Sequence, residues 1–425
     1  MNEMKTIEHV WHLLCHNKLF SAIYIFGTAL ALATVTMFAV VMWNKVAPVY
    51  PEYNRAETAY IQTIQVSRIS NRGYYQGRMS LEAARDYFGN LPSAKKTSIM
   101  VDSWDDAFVQ PENGDPDVKV RIKPTDPAFF DIYTFKFLAG KPFSEADFES
   151  GLRTAVISDG LVRKAFGNID YEEAIGREIS LDFKKYKVCG VVKEGTPTEI
   201  WSYAHIFYPY TSGDNKNRTN FPLVGSFKSV ILTDDMESLK NEAKAVVDRY
   251  NSSQDEYELS LLQYPVDHTV YSLGDQGYDD EFTIGNFLLG VGMILLVLLL
   301  VPALNLSGMI SGRMEERLAE MGVRKSFGAT RGRLLGEVLW ENLLLTVVGG
   351  VIGFLFAWLL LNAGIANLLA EGDYGVDAVV TAEMVLSPVI FVFAFIICCV
   401  LNVMSALVPA WRSLRRPIVQ SLKEC

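Results

Sequence analysis

Residues that carry most enzyme chemistry are scarce in this sequence, which has five cysteines and five histidines among 425 residues. Within residues 45–281 the single cysteine is Cys189, so no disulfide can form inside that segment. The same segment contains only two histidines, His205 and His268, and Ser158 lies in VISDG rather than in a G-x-S-x-G motif. We therefore predict a chain without catalytic residues and without a metal site.

Charge is absent from four long apolar runs, which are residues 19–44, 282–312, 342–370 and 384–411. A helix needs about 20 residues to cross the apolar core of a bilayer, whereas the apolar part of a signal peptide has about 7 to 15. Buried core helices of a soluble protein are the alternative, but four such runs are hard to bury. We predict four transmembrane helices, at residues 19–44, 282–312, 338–363 and 384–411.

Basic residues are missing from the short connection 364–383, which carries four acidic residues instead. In contrast, 12 Lys or Arg lie in residues 1–18, 311–341 and 412–425. Basic loops stay on the cytoplasmic side, so both termini and the segment 313–337 are predicted to be cytoplasmic. Residues 45–281 and 364–383 are then extracytoplasmic. Apolar residues at helical spacing within residues 1–18 predict an amphipathic helix along the cytoplasmic membrane surface.

The predicted external segment is acidic: residues 44–281 contain 27 basic and 37 acidic residues, which accounts for the whole formal charge of −10. Such a surface argues against binding to nucleic acid or to anionic lipid. Strand-like runs and helical stretches alternate along it, as in AYIQTIQVSRI (59–69), TAVIS (154–158), YKVCGVV (186–192) and MESLKNEAKAVVDRYN (236–251). We predict a membrane protein with four transmembrane α-helices and a large α+β extracytoplasmic domain, built from two lobes, between helices 1 and 2.

A carboxylate in the middle of an apolar run is also lacking, because Glu341 lies at the predicted cytoplasmic edge. A proton-coupled transporter is expected to bury a carboxylate there, so this class is disfavoured. The third run instead places Gly349, Gly353 and Ala357 one helical turn apart. Small residues at this spacing let helices approach closely in lipid, and we predict that these three pack against another helix.

The segment between the second and third runs, with the start of the third, reads RMEERLAEMGVRKSFGATRGRLLGEVLWENLLLTVVGG (313–350). Glycine breaks its charged helix at Gly322 and again at Gly328, and the chain then leads directly into the third run. A short, charge-rich elbow of this kind is suited to press on a cytoplasmic partner. An ordinary basic loop that only fixes topology fits the composition equally well.

The order of residues in the elbow resembles the cytoplasmic-loop motif of the FtsX/MacB family of ABC transporter permeases, roughly E-x-G-I-R-K-A-x-G-A. The corresponding positions are Glu320, Met321, Gly322, Val323, Arg324, Lys325, Ser326, Gly328 and Ala329. The external segment resembles the same family over VRIKPTDPAFFDIYTFKFLAGKPFSEADF (120–148), with Lys141 where the family usually has Arg. The resemblance continues through AVISDGLVRKAFG (155–167), AIGREISL (174–181) and YKVCGVVKE (186–194).

This resemblance implies a permease that works as a dimer and docks an ABC ATPase, whose motion reaches the external domains as mechanical work. The stretch from Glu320 to Ala329 would be the ATPase-coupling surface, with Arg324 and Lys325 as hydrogen-bond donors. Only 18 residues precede the first run, and no G-x-x-x-x-G-K-[ST] phosphate loop is present. We therefore expect ATP and Mg to bind on a separate ATPase chain and expect no cofactor in this one.

The MacB-like branch fits better than FtsX itself, whose external domain is smaller. The resemblance further implies a bacterial inner (plasma) membrane protein that contacts lipid and a second permease copy, identical or related. A periplasmic adaptor or an outer-membrane component is a further candidate partner. The resemblance does not distinguish whether the system serves efflux, export or lipoprotein release. The alternative is a membrane-anchored receptor or scaffold whose external domain binds a ligand or a cell-wall enzyme.

Overall fold

The computed structural model describes residues 18–70, 73–102, 106–111, 117–196, 201–213, 222–262, 264–274, 283–316, 322–324, 326–365 and 388–415. Several predictions of the sequence lie outside these residues: the helix at 1–17, Glu320, Met321 and Lys325, and most of the segments 364–383 and 412–425. The described residues form two compact units. One is Asn44–Ile284, and the other consists of the helices that precede and follow it.

The described helices comprise six short or medium helices in the unit Asn44–Ile284 and four long apolar ones. They are α1 Lys18–Val46, α2 Phe129–Ile132, α3 Glu145–Glu149, α4 Asp159–Phe166, α5 Tyr171–Ala174, α6 Met236–Ser252, α7 His268–Leu273, α8 Ile284–Glu316, α9 Arg331–Leu360 and α10 Pro388–Arg415.

The unit Asn44–Ile284 is built on a mixed β-sheet. Its described strands are β1 Thr58–Ile61, β2 Ile64–Arg68, β3 Tyr74–Met79, β4 Lys96–Val101, β5 Asp106–Gln110, β6 Val118–Thr125, β7 Phe137–Gly140, β8 Thr154–Ser158, β9 Glu178–Leu181, β10 Lys184–Val192, β11 Ile206–Pro209, β12 Val224–Gly225, β13 Phe227–Leu232, β14 Tyr257–Ser260 and β15 Val266–Asp267. The main path of hydrogen-bonded neighbours is β11-β8-β10-β9-β5-β6-β4-β13-β3-β2-β14.

Burial patterns explain why these segments form strands. In β10, Tyr186 and Val188 point inward while Lys185 and Lys187 are exposed, which is the alternation of a strand with one solvated face. The end of β10, which pairs with β8 and β7, is buried at three successive residues because Val191 packs into one hydrophobic cluster and Val192 into another. Helix α4 makes the crossover that parallel strands require. The strands predicted at 154–158 and 186–192 are confirmed.

The strand-like run AYIQTIQVSRI is extended as predicted, but it divides after Ile61 into two strands, β1 and β2. The two strands pair with different neighbours: β1 with β13 and β15, and β2 with β3 and β14. The helix predicted over 236–251 is confirmed as α6, which begins with an N-cap at Asp235 whose side chain accepts from the Ser238 N–H.

Two hydrophobic clusters fill this unit. One contains Phe129 and Phe207, packed among other aromatic rings, with Tyr60 and Trp201. The other lies under α4 and contains aliphatic side chains such as Ile157 and Leu161 from β8 and α4. The acidic surface of this unit therefore encloses a core large enough to be stable without disulfides.

The long helices carry the apolar runs of the sequence. Among the described residues, two stretches are long and apolar enough to cross a membrane, Ser21–Val46 and Arg331–Ala363. Two further apolar helical stretches, Ile284–Leu298 and Phe391–Leu407, are shorter. Four membrane spans therefore stay a prediction.

Candidate functional site

The coupling turn, which we define as residues 322–330, precedes the long helix α9. Residues 322–324 and 326 are helical, and this short helix ends where the Ala329 N–H donates to the Arg324 carbonyl at 3.0 Å. Gly328 lies between them with φ of +89°. This is the glycine-centred helix end that satisfies the last carbonyls of a helix, and any other residue would be strained there. The positive φ of Gly328 therefore explains why glycine stands at this position of the family motif.

Two polar contacts fasten the coupling turn to α9. The side-chain oxygen of Thr330 accepts from the Arg333 N–H at 3.4 Å, which caps the first turn of α9. The guanidinium of Arg324 lies 3.0 Å from Glu337, and Arg333 lies 3.7 Å from the same carboxylate. These contacts tie the position of the turn to the first turns of α9.

The outward face of the turn is apolar. Phe327 is 87% exposed and Val323 is 46% exposed, while Gly322 is buried. Sequence reasoning missed Phe327, although its spacing of four residues from Val323 places both on one side of a short helix. Sequence reasoning also missed Glu337, which could have been found because it follows Arg333 by four residues, the spacing of ion pairs on a helix. Arg324, predicted as a donor to a partner, is bonded within the chain to Glu337.

The predicted packing residues lie against α1. A Cβ atom added at Gly349 would lie 3.0 Å from the Thr28 Cβ, and one at Gly353 would lie 2.7 Å from the Ala29 carbonyl oxygen. Ala357 is fully buried. Helices α1 and α9 are thus in contact through backbone and small side chains, which is the close approach that small residues permit.

Hydrogen bonds between side chains join three apolar helices. The Thr346 hydroxyl of α9 lies 3.2 Å from the Tyr24 hydroxyl of α1 and accepts from the Asn402 amide of α10 at 3.1 Å. Thr346 also donates to the Asn342 carbonyl one turn earlier, at 2.8 Å. Contacts of this kind contribute about 0.6 kcal/mol each in membrane proteins, so the three helices are held together mainly by packing and are aligned by these bonds.

Within the unit Asn44–Ile284, buried side chains hold backbone carbonyls at the end of α1 and directly after it. The Arg55 guanidinium donates to the Asn44 carbonyl at 2.6 Å and to the Ala47 carbonyl at 2.5 Å. Its Nε atom lies 3.0 Å from Glu52, and both side chains are about 2% exposed. Burial raises the pKa of Glu52, but the charge of Arg55 and hydrogen bonds from Ser202 and Arg55 together leave that pKa below its ordinary value.

His268 completes this helix-end clamp, which we define as Glu52, Arg55 and His268. Its Nε2 atom lies 3.0 Å from the Lys45 carbonyl, and its Nδ1 atom lies 2.8 Å from the Tyr60 hydroxyl. A carbonyl only accepts, so Nε2 carries the proton and Nδ1 accepts from Tyr60. Burial lowers the pKa of His268 to about 4, and the ring is neutral at pH 7. The Asn44 and Lys45 carbonyls lie in the last turn of α1, where a helix offers no backbone partner, and these side chains satisfy them.

Side chains that carry chemistry in hydrolases have structural tasks here. Ser158 caps α4 by accepting from the Leu161 N–H at 3.2 Å. Burial raises the pKa of Cys189 to about 12, and its thiol donates to the Ala155 carbonyl. His205 accepts from the Arg121 N–H, and burial lowers the pKa of its ring to about 4. Among the described residues, no group of three or more His, Cys, Asp or Glu could hold a metal ion.

Family comparisons match two parts of the chain. Residues 21–246, more than half of the 425, match the MacB-like periplasmic core domain, and residues 292–418 match the FtsX-like permease C-terminal domain. The chain belongs to the FtsX/MacB family of ABC transporter permeases. This permease is accordingly a membrane protein with an extracytoplasmic domain, and the resemblance read from the elbow and from residues 120–194 is confirmed.

Curated relatives include the ABC transporter permease YknZ of Bacillus subtilis, 25% identical over 53% of this chain and 53% of the relative. The pyoverdine export ATP-binding/permease protein PvdT of Pseudomonas syringae pv. tomato is 25% identical over 99% of this chain and 59% of its own. This chain thus spans little more than half of either relative. The crystal structure of the periplasmic region of MacB from Actinobacillus actinomycetemcomitans aligns at 16% identity, over 47% of this chain and 88% of that one, with a TM-score of only 0.32.

Proposed function

We propose that this permease transmits the ATP-driven motion of a separate cytoplasmic ABC ATPase to its extracytoplasmic domain, residues 45–281. The observation that carries the proposal is the coupling turn. It presents an exposed phenylalanine on a short helix whose end is fixed by Gly328, and Arg324 and Thr330 fasten that helix to α9. An exposed aromatic side chain on a turn that is attached directly to a long helix is suited to bind a partner and to move with it.

We propose that motion entering at the coupling turn is passed from α9 to α1. Helix α9 is in backbone contact with α1 at Gly349 and Gly353. Helix α1 in turn ends at Val46, where Arg55 and His268 hold its final carbonyls. The link between the coupling turn and α9 includes the exposed Arg324–Glu337 pair, whereas the later links are packed or buried contacts.

The proposed topology follows the predicted membrane spans. Four helices cross the bacterial inner membrane, both termini are cytoplasmic, and residues 364–383 form a short external connection. A second permease copy completes the assembly, and ATP with Mg binds to the ATPase rather than to this chain. The names of PvdT and MacB describe pyoverdine export and macrolide export, so we propose that this system also exports a molecule from the cell.

The test is co-purification of the full chain from detergent with the ABC ATPases of its host. We expect Phe327→Ala to reduce ATPase retention about tenfold or more, because an exposed aromatic anchor is worth about 2 kcal/mol in an interface. Phe183→Ala is the matched control, since Phe183 is also 87% exposed but lies in the extracytoplasmic domain. Equal retention by the two variants would contradict the proposal, as would the absence of any co-purifying ATPase.

The receptor or scaffold alternative makes a different prediction for the same preparation. A receptor without mechanical coupling would leave ATP hydrolysis by a bound ATPase unchanged when the helix-end clamp is broken. Under our proposal, a clamp variant that still binds the ATPase changes that hydrolysis rate.

A further inference from the structure

The connector that follows α1, which we define as residues 47–54, is fixed to the end of that helix. The Ala47 carbonyl accepts from the buried Arg55 guanidinium at 2.5 Å, and the same guanidinium holds the Asn44 carbonyl of α1. Tyr50 is only four residues beyond the last residue of α1. A displacement of the helix end is therefore expected to move Tyr50.

The hydroxyl of Tyr50 lies at the point where β7 and β10 separate. Lys136 directly precedes β7, and Lys193 directly follows β10. The Lys193 N–H donates to the Lys136 carbonyl at 3.0 Å, as in an antiparallel ladder. A pair of this kind normally exchanges two hydrogen bonds, so in a regular ladder the Lys136 N–H would donate to the Lys193 carbonyl.

Tyr50 takes the place of that second bond. The Lys136 N–H donates to the Tyr50 hydroxyl at 3.2 Å, and the hydroxyl donates to the Lys193 carbonyl at 2.8 Å. We call this arrangement the hydroxyl bridge. Burial raises the pKa of Tyr50 to about 12, so the hydroxyl keeps its proton at neutral pH and can both donate and accept.

Further contacts hold the connector against the segment that leads into β7. The Pro51 carbonyl accepts from the Thr134 N–H at 2.9 Å. The Tyr50 ring meets the Phe135 ring edge to face, with 6.2 Å between the ring centroids. The connector is therefore bound along the approach to β7 as well as at the hydroxyl bridge, and a movement of the connector acts on the start of this strand.

Two arrangements of the strand ends satisfy the same backbone groups. With the hydroxyl inserted, the Lys136 N–H and the Lys193 carbonyl each bond to Tyr50. With the hydroxyl withdrawn, the two groups can bond to each other and extend the ladder by one regular pair. Neither arrangement leaves a backbone donor or acceptor without a partner, so little free energy separates them. An element with two such arrangements responds to a small displacement.

We propose that Tyr50 is a positioning residue that converts a displacement of the end of α1 into opening or closing of the ladder between β7 and β10. This inference rests on the proposed function, in which α1 receives motion that starts at the ATPase. It adds the place where that motion enters the sheet of the extracytoplasmic domain. Because β10 also pairs with β8 and β9, a shift of its end acts on three neighbouring strands.

The first experiment tests the hydroxyl bridge in the full chain in detergent. Tyr50→Phe removes the hydroxyl and leaves the ring between the strand ends, so the Lys136 amide loses its acceptor. We expect hydrogen exchange of that amide to become about tenfold faster or more. Tyr53→Phe is the matched control, because Tyr53 is 53% exposed on the same connector, and it should leave exchange at Lys136 unchanged.

The second experiment measures ATP hydrolysis by the ATPase that co-purifies with the full chain. Tyr50→Phe should retain the ATPase as wild type does, because the substitution lies outside the coupling turn. We expect hydrolysis to become about fivefold faster or more, since closure of the ATPase no longer has to displace a fastened strand end. The complex with Tyr53→Phe should hydrolyse ATP at the wild-type rate. The Tm of each variant should stay within about 5 °C of wild type.

Four results would overturn this inference and leave the proposed function intact. They are unchanged exchange at Lys136 in Tyr50→Phe, an equal effect of Tyr53→Phe, an unchanged or slower hydrolysis rate with normal ATPase retention, and a fall in Tm of more than about 5 °C in Tyr50→Phe. The third and fourth would assign the hydroxyl to stability alone. If no ATPase co-purifies, the proposed function fails, and the coupling role of Tyr50 fails with it.

Discussion

The helix-end clamp and the coupling turn each hold the end of a helix through an arginine–glutamate pair, but in opposite surroundings. Arg55 and Glu52 are about 2% exposed, whereas Arg324 and Glu337 are 42% and 48% exposed. Removing one partner of a buried pair leaves the other charge uncompensated and poorly solvated. When one partner of an exposed pair is removed, water solvates the charge that remains. The same chemistry therefore fixes the helix end where the pair is buried and only biases it where the pair is exposed.

The largest effect is expected from breaking the clamp. Arg55→Met should destabilise the unit Asn44–Ile284 by about 3–5 kcal/mol, because Glu52 and two helix carbonyls lose their buried partner. Urea unfolding of the full chain in detergent, followed by tryptophan fluorescence, measures this change. The double variant Glu52→Leu with Arg55→Met should recover part of the loss. A cost below about 1 kcal/mol would show that the clamp is not a stabilising contact.

Acid should weaken the clamp through His268. The pKa of this ring is about 4 in the folded protein and 6.5 in the unfolded chain, so the unfolded state binds the extra proton between these pH values. Stability from this group is complete above pH 6.5 and falls by about 3 kcal/mol as the pH drops to 4. Comparing unfolding free energies of wild type and His268→Gln across this range gives the contribution. Identical pH profiles of the two proteins would exclude a contribution of His268 to the pH dependence of stability.

The contact between α1 and α9 should give an intermediate effect. Gly353→Ala places a Cβ 2.7 Å from the Ala29 carbonyl oxygen, and overpacking of this kind costs about 1–3 kcal/mol. Gly336→Ala is the matched control on the same helix, since a Cβ there meets no atom within 4 Å. Helix propensity predicts that the control is neutral or stabilising by up to about 1 kcal/mol. Thermal unfolding should show a lower Tm for Gly353→Ala and an unchanged or higher Tm for Gly336→Ala.

The smallest effect is expected at the exposed pair. A double-mutant cycle with Arg324→Gln and Glu337→Gln should give a coupling energy below about 1 kcal/mol that decreases with added salt. The Arg55–Glu52 coupling, measured in the same way, should depend little on salt. If the two couplings proved equal, burial would not be the property that distinguishes the clamp from the turn.

Local patterns of the sequence were sufficient for much of this fold. The strands at TAVIS and YKVCGVV and the helix α6 are set by alternation and by caps that lie within a few residues. The family motif likewise located the coupling turn and its Gly328. The division between β1 and β2 was missed, because it depends on strands that come from elsewhere in the chain.

Functional contacts that join distant residues were not predictable in this way. His268 is 223 residues from the carbonyl of Lys45, and no spacing rule connects them. Arg55 reads as an ordinary surface arginine until its carbonyl partners are known.

The contact of Gly353 with the carbonyl of Ala29 limits how α1 and α9 can respond to force. Most neighbouring helices are separated by long side chains, and a small shift of one helix is absorbed when those side chains change rotamer. At this contact no rotatable group lies between the two backbones. A shift of α9 towards α1 therefore meets the α1 backbone directly, and α1 has to move with it because no side chain between them can change rotamer.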